Sequence, residues 1–331
     1  AQNTETRTYI IKIKFPHIGD YVSYKPDIPS AGYYLSSTQS GYSSNQIIDT
    51  SYDPTEWKIL EVNENKNITK ILGVPSNSQK TVFFQGPIGY NNGVYLLNDI
   101  CKKRYGNANL GTSANNLTLE DVESNMTETG ISARNSQSRG TSKYGTTRRY
   151  TGSYTRYPAV YGQEKYSGIN ISDVANGSQI ILGNVDITAH KKMNPNGKHK
   201  SDNIYSSLPS TSETTGSYVA NLTCTQTYYG FDSQDQSFSS YFDSNFYNMI
   251  WGTGTYFWLA TRYVDCDSNY ADSYFGLCYV GNNGLRGDNM YDSSGDIYVS
   301  GLRLAPTVSF GDEIKVQSGS GTKSDPYIIE K

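Results

Sequence analysis

The sequence predicts an α+β protein in which mixed small sheets are supported by two or three helices and interrupted by a long irregular insertion. Three observations favour this class. Short segments of alternating apolar residues occur in both halves of the chain, a few segments repeat apolar residues at helical spacing, and a polar stretch of about ninety residues separates the halves. The 30 Tyr, the 31 Gly and a charged fraction of only 18% are typical of a globular protein rich in strands and loops.

The 331 residues suffice for a substantial core in one elaborate domain or in two ordinary domains. We divide the chain into an N-terminal extension (1–18), a main domain (19–310) and a C-terminal tail (311–331). Within the main domain, 127–217 is the polar insertion and 256–310 is a C-terminal region of distinct composition.

Strands are predicted throughout the first part of the chain. Residues 6–15, TRTYIIKIKF, alternate in a way that predicts a strand with one half-exposed face, and 19–24 continues this pattern. Two β-branched runs, 57–62 and 68–74, flank the turn-forming sequence NENKN. We therefore expect these two runs to form a hairpin.

Two helices are predicted next. In 93–106 apolar residues recur at helical spacing, and Gly106 is expected to supply a left-handed C-terminal cap. In 117–126, Thr118 is followed three residues later by Asp121, a spacing that resembles a capping box. The residues that define the apolar helical faces are Val94, Leu97, Cys101 and Tyr105 in the first helix and Leu119, Val122 and Met126 in the second.

The insertion must itself contain strands, because a structureless connection of this length is uncommon in a compact domain. After it, 216–229 alternates like a strand, and 239–250 has helical spacing. The residues on the predicted helical face are Phe242, Phe246, Met249 and Ile250.

The last part of the chain returns to strands. Residues 256–264 predict a compact apolar strand, and 301–310 predict a second buried strand bounded by Pro306 and Gly311. The tail 319–331 predicts a Gly/Ser turn followed by a last short strand, or the start of a linker.

Two motifs of the C-terminal region, FWLATR at 257–262 and GLRLAPTVSF at 301–310, together resemble the C-terminal half of C-type-lectin-fold proteins. The formylglycine-generating-enzyme-like branch, including its bacterial surface members, is the most similar. The segments EWKILEV, YLLNDICKKRYG and LTLEDVESNM resemble the first half of those proteins, so the resemblance extends over 20–310 but not over much of the insertion. It implies a C-type-lectin-like fold.

Four residues carry the C-terminal part of this resemblance. We expect them to form the frame of a site, with a core Trp beside Arg side chains that fix loops through their fork of donors. The four residues are Trp258, Arg262, Gly301 and Arg303.

The segment 263–300 has a restricted composition. It contains six Asp but no Glu, Lys, Gln or Trp, and its only basic residue is Arg286. Some branches of the C-type lectin fold are variable proteins of diversity-generating retroelements, in which adenines of a template are copied with errors. Codons AAC and AAT varied at their first two positions can encode Asp but cannot encode Glu, Lys, Gln, Trp or Met. The resemblance therefore implies that 256–310 is a variable C-terminal region, that 263–300 is its diversified segment and that Met290 belongs to the scaffold.

Turn chemistry offers an alternative explanation for this composition. Asp, Asn, Gly and Ser are favoured in turns because their side chains bond the local backbone or tolerate positive φ. Turns do not call for the six Tyr of this segment, however. Tyr with Ser, Gly and Asn is the composition of antibody binding loops, so a diversified surface and a plain Tyr-rich sheet both stay open.

We expect Phe275, Leu277, Val280 and Met290 to face inward and 281–284, GNNG, to form a turn. The polar and Tyr side chains around them would then cluster on one binding surface. The predicted ligand-binding residues are Tyr263, Asp265, Asp267, Asn269, Tyr270, Asp272, Tyr274, Tyr279, Asn282, Asn283, Arg286, Asp288, Tyr291, Asp292, Asp296 and Tyr298.

The primary hypothesis is a binding protein without catalytic activity, whose partner is an extracellular protein or glycan. One alternative is a structural surface component, such as a minor pilin or a phage tail protein. Another is an oxidase similar to the formylglycine-generating members, which use a pair of C-terminal cysteines. Cys266 and Cys278 are the candidates for that pair, but none of the three His lies near them in sequence. Whether these two cysteines form a disulfide stays open.

Charge and motifs exclude several other classes. A net charge of −3 and a pI of about 5.7 give no reason to expect a nucleic-acid partner, and the basic stretch 189–200 has the Asn, Pro and Gly of a solvated loop. The four Cys lack the spacing of a zinc site. Asp and Asn oxygens suit calcium, but 288–296 lacks the spacing of an EF-hand, so no cofactor is expected and structural calcium remains an alternative.

The location expected from the sequence is the cell surface or a virion. No apolar run approaches the ~20 residues that a membrane-spanning helix needs. The sequence starts at Ala1 without a signal-like segment, which is compatible with the removal of a leader, and any membrane anchor would lie outside this sequence.

Overall fold

A computed structural model of the chain describes most of the sequence outside the insertion. The described residues are 15–27, 32–136, 138–139, 142–143, 147–154, 193–194, 204–205, 220–227, 231–232, 238–267, 272–282, 284–292 and 296–331. For part of these, including 262–267, only the course of the backbone is described. The mixture of helices and sheets confirms the α+β class.

The described helices are α1 (Ser37–Ser40), α2 (Gly86–Tyr105), α3 (Leu119–Glu123), α4 (Glu128–Ser136) and α5 (Ser244–Trp251), with 3-10 turns at Thr50–Tyr52 and Phe238–Tyr241. The described strands are β1 (Tyr21–Ser23), β2 (Tyr33–Leu35), β3 (Gln46–Ile48), β4 (Trp57–Val62), β5 (Ile68–Gly73), β6 (Val82–Gln85), β7 (Thr112–Asn116), β8 (Ser138–Arg139), β9 (Ser142–Lys143), β10 (Thr147–Tyr154), β11 (Met193–Asn194), β12 (Ile204–Tyr205), β13 (Ala220–Thr227), β14 (Phe231–Asp232), β15 (Phe257–Asp267), β16 (Asp272–Gly281), β17 (Gly284–Asp292), β18 (Val299–Leu302), β19 (Pro306–Ser318) and β20 (Tyr327–Glu330).

The largest sheet closes on itself. Its order is β20-β1-β4-β5-β19-β7, and β20 also pairs with β19, so β1, β4, β5, β19 and β20 form a ring. The ring closes because β19 is long enough to pair with β7 through its first half and with β20 through its second half, while β5 lies along its other edge. The parallel pairing of Val22 with Tyr327 joins the two ends of the described chain.

Helix α2 connects this ring to a second sheet of order β14-β17-β16-β15. Its buried residues, among them Tyr90 and Leu97, belong to the same core cluster as Ile59 of the ring and Leu277 of the second sheet. The second sheet is therefore anchored to the rest of the protein through one continuous apolar core.

A second core cluster covers the opposite side of the β15–β16 pair. It is built from α3, α5 and the 3-10 turn at Phe238–Tyr241, and it is rich in aromatic rings. Phe242 and Trp251 lie with their ring centroids 4.7 Å apart, and Phe238 contacts Trp251 edge to face at 5.1 Å. Such contacts hold α5 firmly beneath the sheet.

Several predicted elements are confirmed. The hairpin at 57–62 and 68–74 is β4–β5, and the helix expected at 239–250 is the 3-10 turn followed by α5. The capping box is present as predicted: Thr118 accepts a hydrogen bond from the backbone of Asp121, whose carboxylate accepts one from the backbone of Thr118. The last short strand of the tail is β20.

Two predictions about boundaries are wrong. Gly106 has φ −68 and ψ 159, so it is extended and does not form a left-handed cap. Its carbonyl accepts a hydrogen bond from the backbone N–H of Asp27. Residues 301–310 do not form one strand. Residues 301–302 end β18, 303–305 link it to the ring, and 306–310 begin β19. There Ala305 donates its backbone N–H to Asn116, and Pro306 begins β19 instead of ending a strand.

The insertion contains secondary structure, as predicted. It begins with α4, and the pairs β8–β9 and β11–β12 follow, while β10 pairs with β13, which lies just after the insertion. The strand expected at 216–229 is β13. The N-terminal strand expected at 6–15 lies almost entirely outside the described residues.

Candidate binding surface

The segment 263–300 forms the greater part of the second sheet. β15, β16 and β17 are antiparallel neighbours, and β16 and β17 meet at a tight turn in which Gly281 pairs with Gly284. The two residues between them are the Asn pair of GNNG, which confirms the predicted turn.

The strand register brings predicted binding residues into rows. Tyr274 of β16 pairs with Asp265 on one side and with Asp292 on the other. Two positions further along, Asp267 pairs with Asp272. Residues far apart in sequence are thus neighbours at the end of the sheet remote from the Asn turn.

The structure locates the predicted binding residues to different extents. The side chains of Asn282, Arg286, Asp296 and Tyr298 are exposed, those of Tyr274, Tyr279 and Asp288 are half-buried, and that of Tyr291 is buried. Only the backbone positions of Tyr263, Asp265, Asp267, Asp272 and Asp292 are described, and Asn269, Tyr270 and Asn283 lie outside the described residues.

Tyr279 is the centre of the best-defined group of site residues. Its ring stacks on Tyr256, with the centroids 6.2 Å apart and the planes inclined by 26°. Arg286 lies opposite Tyr279 in the register and shares a side-chain hydrogen bond with it. Burial raises the pKa of Tyr279, and the nearby Asp288 raises it further, whereas Arg286 lowers it. The phenol is therefore a neutral hydrogen-bonding group at physiological pH.

Asp288 is a partly desolvated carboxyl on the same strand as Arg286. Burial raises its pKa, and the hydrogen bond that Ser300 donates to it opposes that rise. A half-buried carboxyl that accepts a hydrogen bond from one neutral donor retains capacity to accept further hydrogen bonds from a ligand. Tyr256, Tyr279, Arg286, Asp288 and Ser300 are called the tyrosine cluster below.

The expectation that Tyr291 faces outward is wrong. Its side chain is only 5% exposed, and its ring packs edge to face against Tyr90 of α2 at 5.7 Å. The cause is a bulge: the register of β16 with β17 shifts between Phe275 and Gly276, so that Met290 and Tyr291, although adjacent in sequence, both belong to the core. Simple alternation assigns Tyr291 to the wrong face.

The predicted inward scaffold is confirmed for Leu277, Val280 and Met290, which are fully buried. The side chain of Phe275 lies outside the described part of the structure. Leu277 belongs to one core cluster and Val280 to the other, so both faces of β16 are covered at this level. The candidate surface therefore comprises strand ends, the β17 edge of the Asn turn and the segment after β17, and not one whole face of the sheet.

Sequence reasoning missed three exposed side chains beside this surface. Ile297 is 48% exposed, Val299 is 52% exposed, and Tyr256, which stacks on Tyr279, is 37% exposed. Ile297 lies over the start of α2, where Gly86 has φ +63 and a Cβ would approach the Ile297 side chain to 3.1 Å. The alternation of Ile297 and Val299 along the chain was the signal that could have revealed an apolar strip.

The register also answers the question about the two cysteines. Cys266 pairs with Ser273, whereas Cys278 is five positions further along β16 and pairs with Gly287 on β17. Five strand residues span about 17 Å, far beyond the Cα separation of a disulfide. Cys278 is buried and carries no disulfide bond.

Within the described residues, no group of three or more His, Cys, Asp or Glu side chains is arranged to hold a metal ion, and no helix has the length and apolarity to cross a membrane. The frame residue Trp258 is fully buried and donates its indole N–H to the Val82 carbonyl at 2.9 Å. Comparison of the chain with protein-family models, with curated proteins and with solved structures finds no match.

Proposed function

We propose that this protein binds extracellular ligands through a surface that a diversity-generating retroelement varies, presented on a C-type-lectin-like scaffold at a cell surface or on a virion. The observation that carries the proposal is the composition of 263–300, where all six acids are Asp and where Glu, Lys, Gln and Trp do not occur. Turn propensity accounts for Asp, but codon restriction accounts for Asp without Glu.

The position of Met290 supports this proposal. Met cannot arise from a varied AAC or AAT codon, so a Met in such a segment has to belong to the fixed scaffold. Met290 is fully buried in the core beside α2. The exposed side chains described for the same segment, such as Asn282, Arg286 and Asp296, are all residue types that varied codons can encode.

The scaffold assignment rests on the resemblance of FWLATR and GLRLAPTVSF to C-type-lectin-fold proteins. Trp258 of the first motif is a core residue, and Gly301 of the second lies directly beneath the ring of Phe83, where a Cβ would approach Cε1 to 2.2 Å. These roles agree with the frame that the resemblance implies.

Recognition would depend on the tyrosine cluster and on the row formed by Asp265, Tyr274 and Asp292. Tyr rings offer large contact area at low rotamer cost, and Arg286 and Asp288 provide charge-assisted hydrogen bonds with direction. A neutral Tyr279 phenol can both donate and accept a hydrogen bond, which suits a surface that meets different ligands.

The oxidase alternative requires two cooperating cysteines near the C-terminus. The register separates Cys266 from Cys278 by about 17 Å along the sheet, which disfavours a joint role for them. We therefore propose a binding protein without catalytic activity and without a cofactor.

One observation favours a second candidate, a structural role in an assembly. Ile297 and Val299 are about half exposed and lie next to Tyr298. Together the three side chains form an apolar strip suited to contact between subunits. Sedimentation analysis distinguishes the two functions. Concentration-dependent self-association that Val299→Asn abolishes would support assembly, whereas a monomer at all concentrations would support free-ligand binding.

A comparative binding screen tests the primary proposal. The chain is applied to an array of extracellular proteins and glycans beside a variant with Ala at Tyr274, Tyr279 and Arg286. We expect the wild type to bind specific array members. The variant should no longer bind them, because it lacks the two Tyr rings and the guanidinium that would contact a ligand.

A matched control carries Ala at Tyr34 and Ile47, which are 59% and 61% exposed on the β2–β3 hairpin. This control should keep the wild-type profile. Identical profiles for all three proteins would contradict the proposed site.

A further inference from the structure

A group of polar side chains lies outside the segment 263–300, where the 75–79 loop meets the turn that follows α5. Asn77 lies in the loop, Thr253 and Thr255 lie in the turn, and Arg303 approaches from the link between β18 and β19. None of these four residues belongs to the candidate binding surface.

Arg303 is the only cation of this group. Its Nε–H is buried and has no hydrogen-bond acceptor among the described residues, and its Nη2 donates one long hydrogen bond of 3.3 Å to the Asn77 carbonyl. No carboxylate in the described part of the chain forms an ion pair with it. A half-buried guanidinium without a counter-charge is costly, and a bound anion would offset that cost.

The hydrogen bonds around Arg303 are weak in geometry. Asn77 Nδ2 lies 3.5 Å from the Thr253 carbonyl, and Thr255 Oγ1 lies 3.4 Å from Asn77 Oδ1 and 3.5 Å from the Thr253 carbonyl. These separations are at the outer limit for hydrogen bonds, whereas Trp258 close by donates at 2.9 Å. The amide and the hydroxyl can therefore turn to a better acceptor at little cost.

We propose that Arg303, Asn77, Thr253 and Thr255 form a binding site for a carboxylate group of a ligand. One cation beside the neutral donors of Asn77 and the two Thr matches a planar anion of single charge, and a phosphate dianion would remain under-neutralised. The contact between Arg303 and Asn77 is on the exposed side of the group, so a ligand can reach it from solvent. All four residues lie outside 263–300, the segment of restricted composition. The carboxylate site is therefore independent of the proposed diversification.

A titration followed by two-dimensional NMR of ¹⁵N-labelled protein tests the site. Sodium acetate replaces sodium chloride at constant ionic strength, so that general screening does not change. We expect a saturable shift of the Arg303 Nε–H and of the Asn77 side-chain amide in the millimolar range. Glucuronate should give the same shifts if the carboxylate belongs to a sugar, and inorganic phosphate should give weaker ones.

Variants separate binding from a structural role. Arg303→Gln should abolish the shift at Asn77, and Lys102→Gln, which changes an exposed cation at the end of α2, should leave it unchanged. Thr255→Val keeps the side-chain shape and should weaken acetate binding about three- to tenfold, the effect of one lost hydrogen bond, even if Arg303→Gln fails to fold. The absence of a saturable shift at Arg303 in the wild type, or an unchanged acetate affinity in Thr255→Val, would overturn the proposal.

Discussion

Tyr279 and Arg286 lie directly opposite each other across the β16–β17 hairpin, and their side chains share a hydrogen bond. The pair places a neutral phenol and a permanent cation side by side within 263–300, where the composition is restricted. Tyr256, which precedes that segment, stacks on the same ring. The surface therefore combines residues that we propose to be variable with an aromatic neighbour from outside 263–300.

Arg286→Ala should change ligand binding without changing stability. The side chain is exposed, and surface substitutions of this kind alter the free energy of unfolding by about 0.5 kcal/mol or less. Urea denaturation should give an unchanged midpoint, while the array profile should lose ligands. A destabilisation above about 1 kcal/mol would show instead that Arg286 supports the fold.

Tyr274→Ala and Tyr291→Ala should lower stability by very different amounts, although both Tyr belong to the same segment. Tyr291 is buried against Tyr90, so its truncation should lower the free energy of unfolding by about 3–5 kcal/mol. Tyr274 is only half-buried, and its truncation should cost about 1 kcal/mol or less. Denaturant melts of both variants check the difference, and equal costs would contradict the assignment of Tyr291 to the core.

Gly301→Ala should destabilise the β6–β18 ribbon. A Cβ at this position would lie 2.2 Å from the Phe83 ring, which is itself stacked on Tyr42 at 4.8 Å. Overpacking of this kind costs about 1–3 kcal/mol. A thermal melt measures the loss, and combining Gly301→Ala with Phe83→Ala should relieve the clash, so the double variant should be more stable than the sum of the single effects predicts. Simple additivity would speak against a direct contact.

Glu123 should make stability depend on pH. Burial raises its pKa to about 7, although Arg134 on α4, 3.4 Å away, acts in the opposite direction. Because the folded state then holds this proton more tightly than the unfolded state, stability is highest at low pH and falls as the pH rises from the unfolded pKa toward 7. The decrease attributable to Glu123 should be about 2–3 kcal/mol.

Chemical denaturation across pH 4.5–8 measures this dependence. Glu123→Gln should remove most of the decrease, and Glu64→Gln, which changes an exposed Glu in the turn between β4 and β5, should retain it. A Glu123→Gln variant with the wild-type pH dependence would show that another group is responsible.

Local patterns in the sequence predict the elements that local chemistry determines. The capping box of Thr118 and Asp121 and the Asn turn between Gly281 and Gly284 are present, because each depends on residues within a few positions. The inward placement of Leu277, Val280 and Met290 follows from apolar character alone.

Features that depend on distant partners were not predictable from the sequence. Tyr291 is buried because a bulge changes its side and Tyr90 of α2 supplies a surface to pack against. The closure of the ring depends on β19 continuing beyond Gly311 to pair with β20. No local sequence pattern predicts this pairing. The unpaired Nε–H of Arg303 likewise becomes visible only when the 75–79 loop is in place.

The central claim is tested most directly by sequencing the 3′ coding region and its flanking DNA in many independent isolates. We expect a reverse transcriptase beside a near-copy of this region that differs from it only at adenines. Substitutions among isolates should fall on exposed positions such as Arg286 and Asp296, while the buried Met290 stays constant. Variation spread evenly over the gene, with no adenine-mismatched copy nearby, would contradict the account.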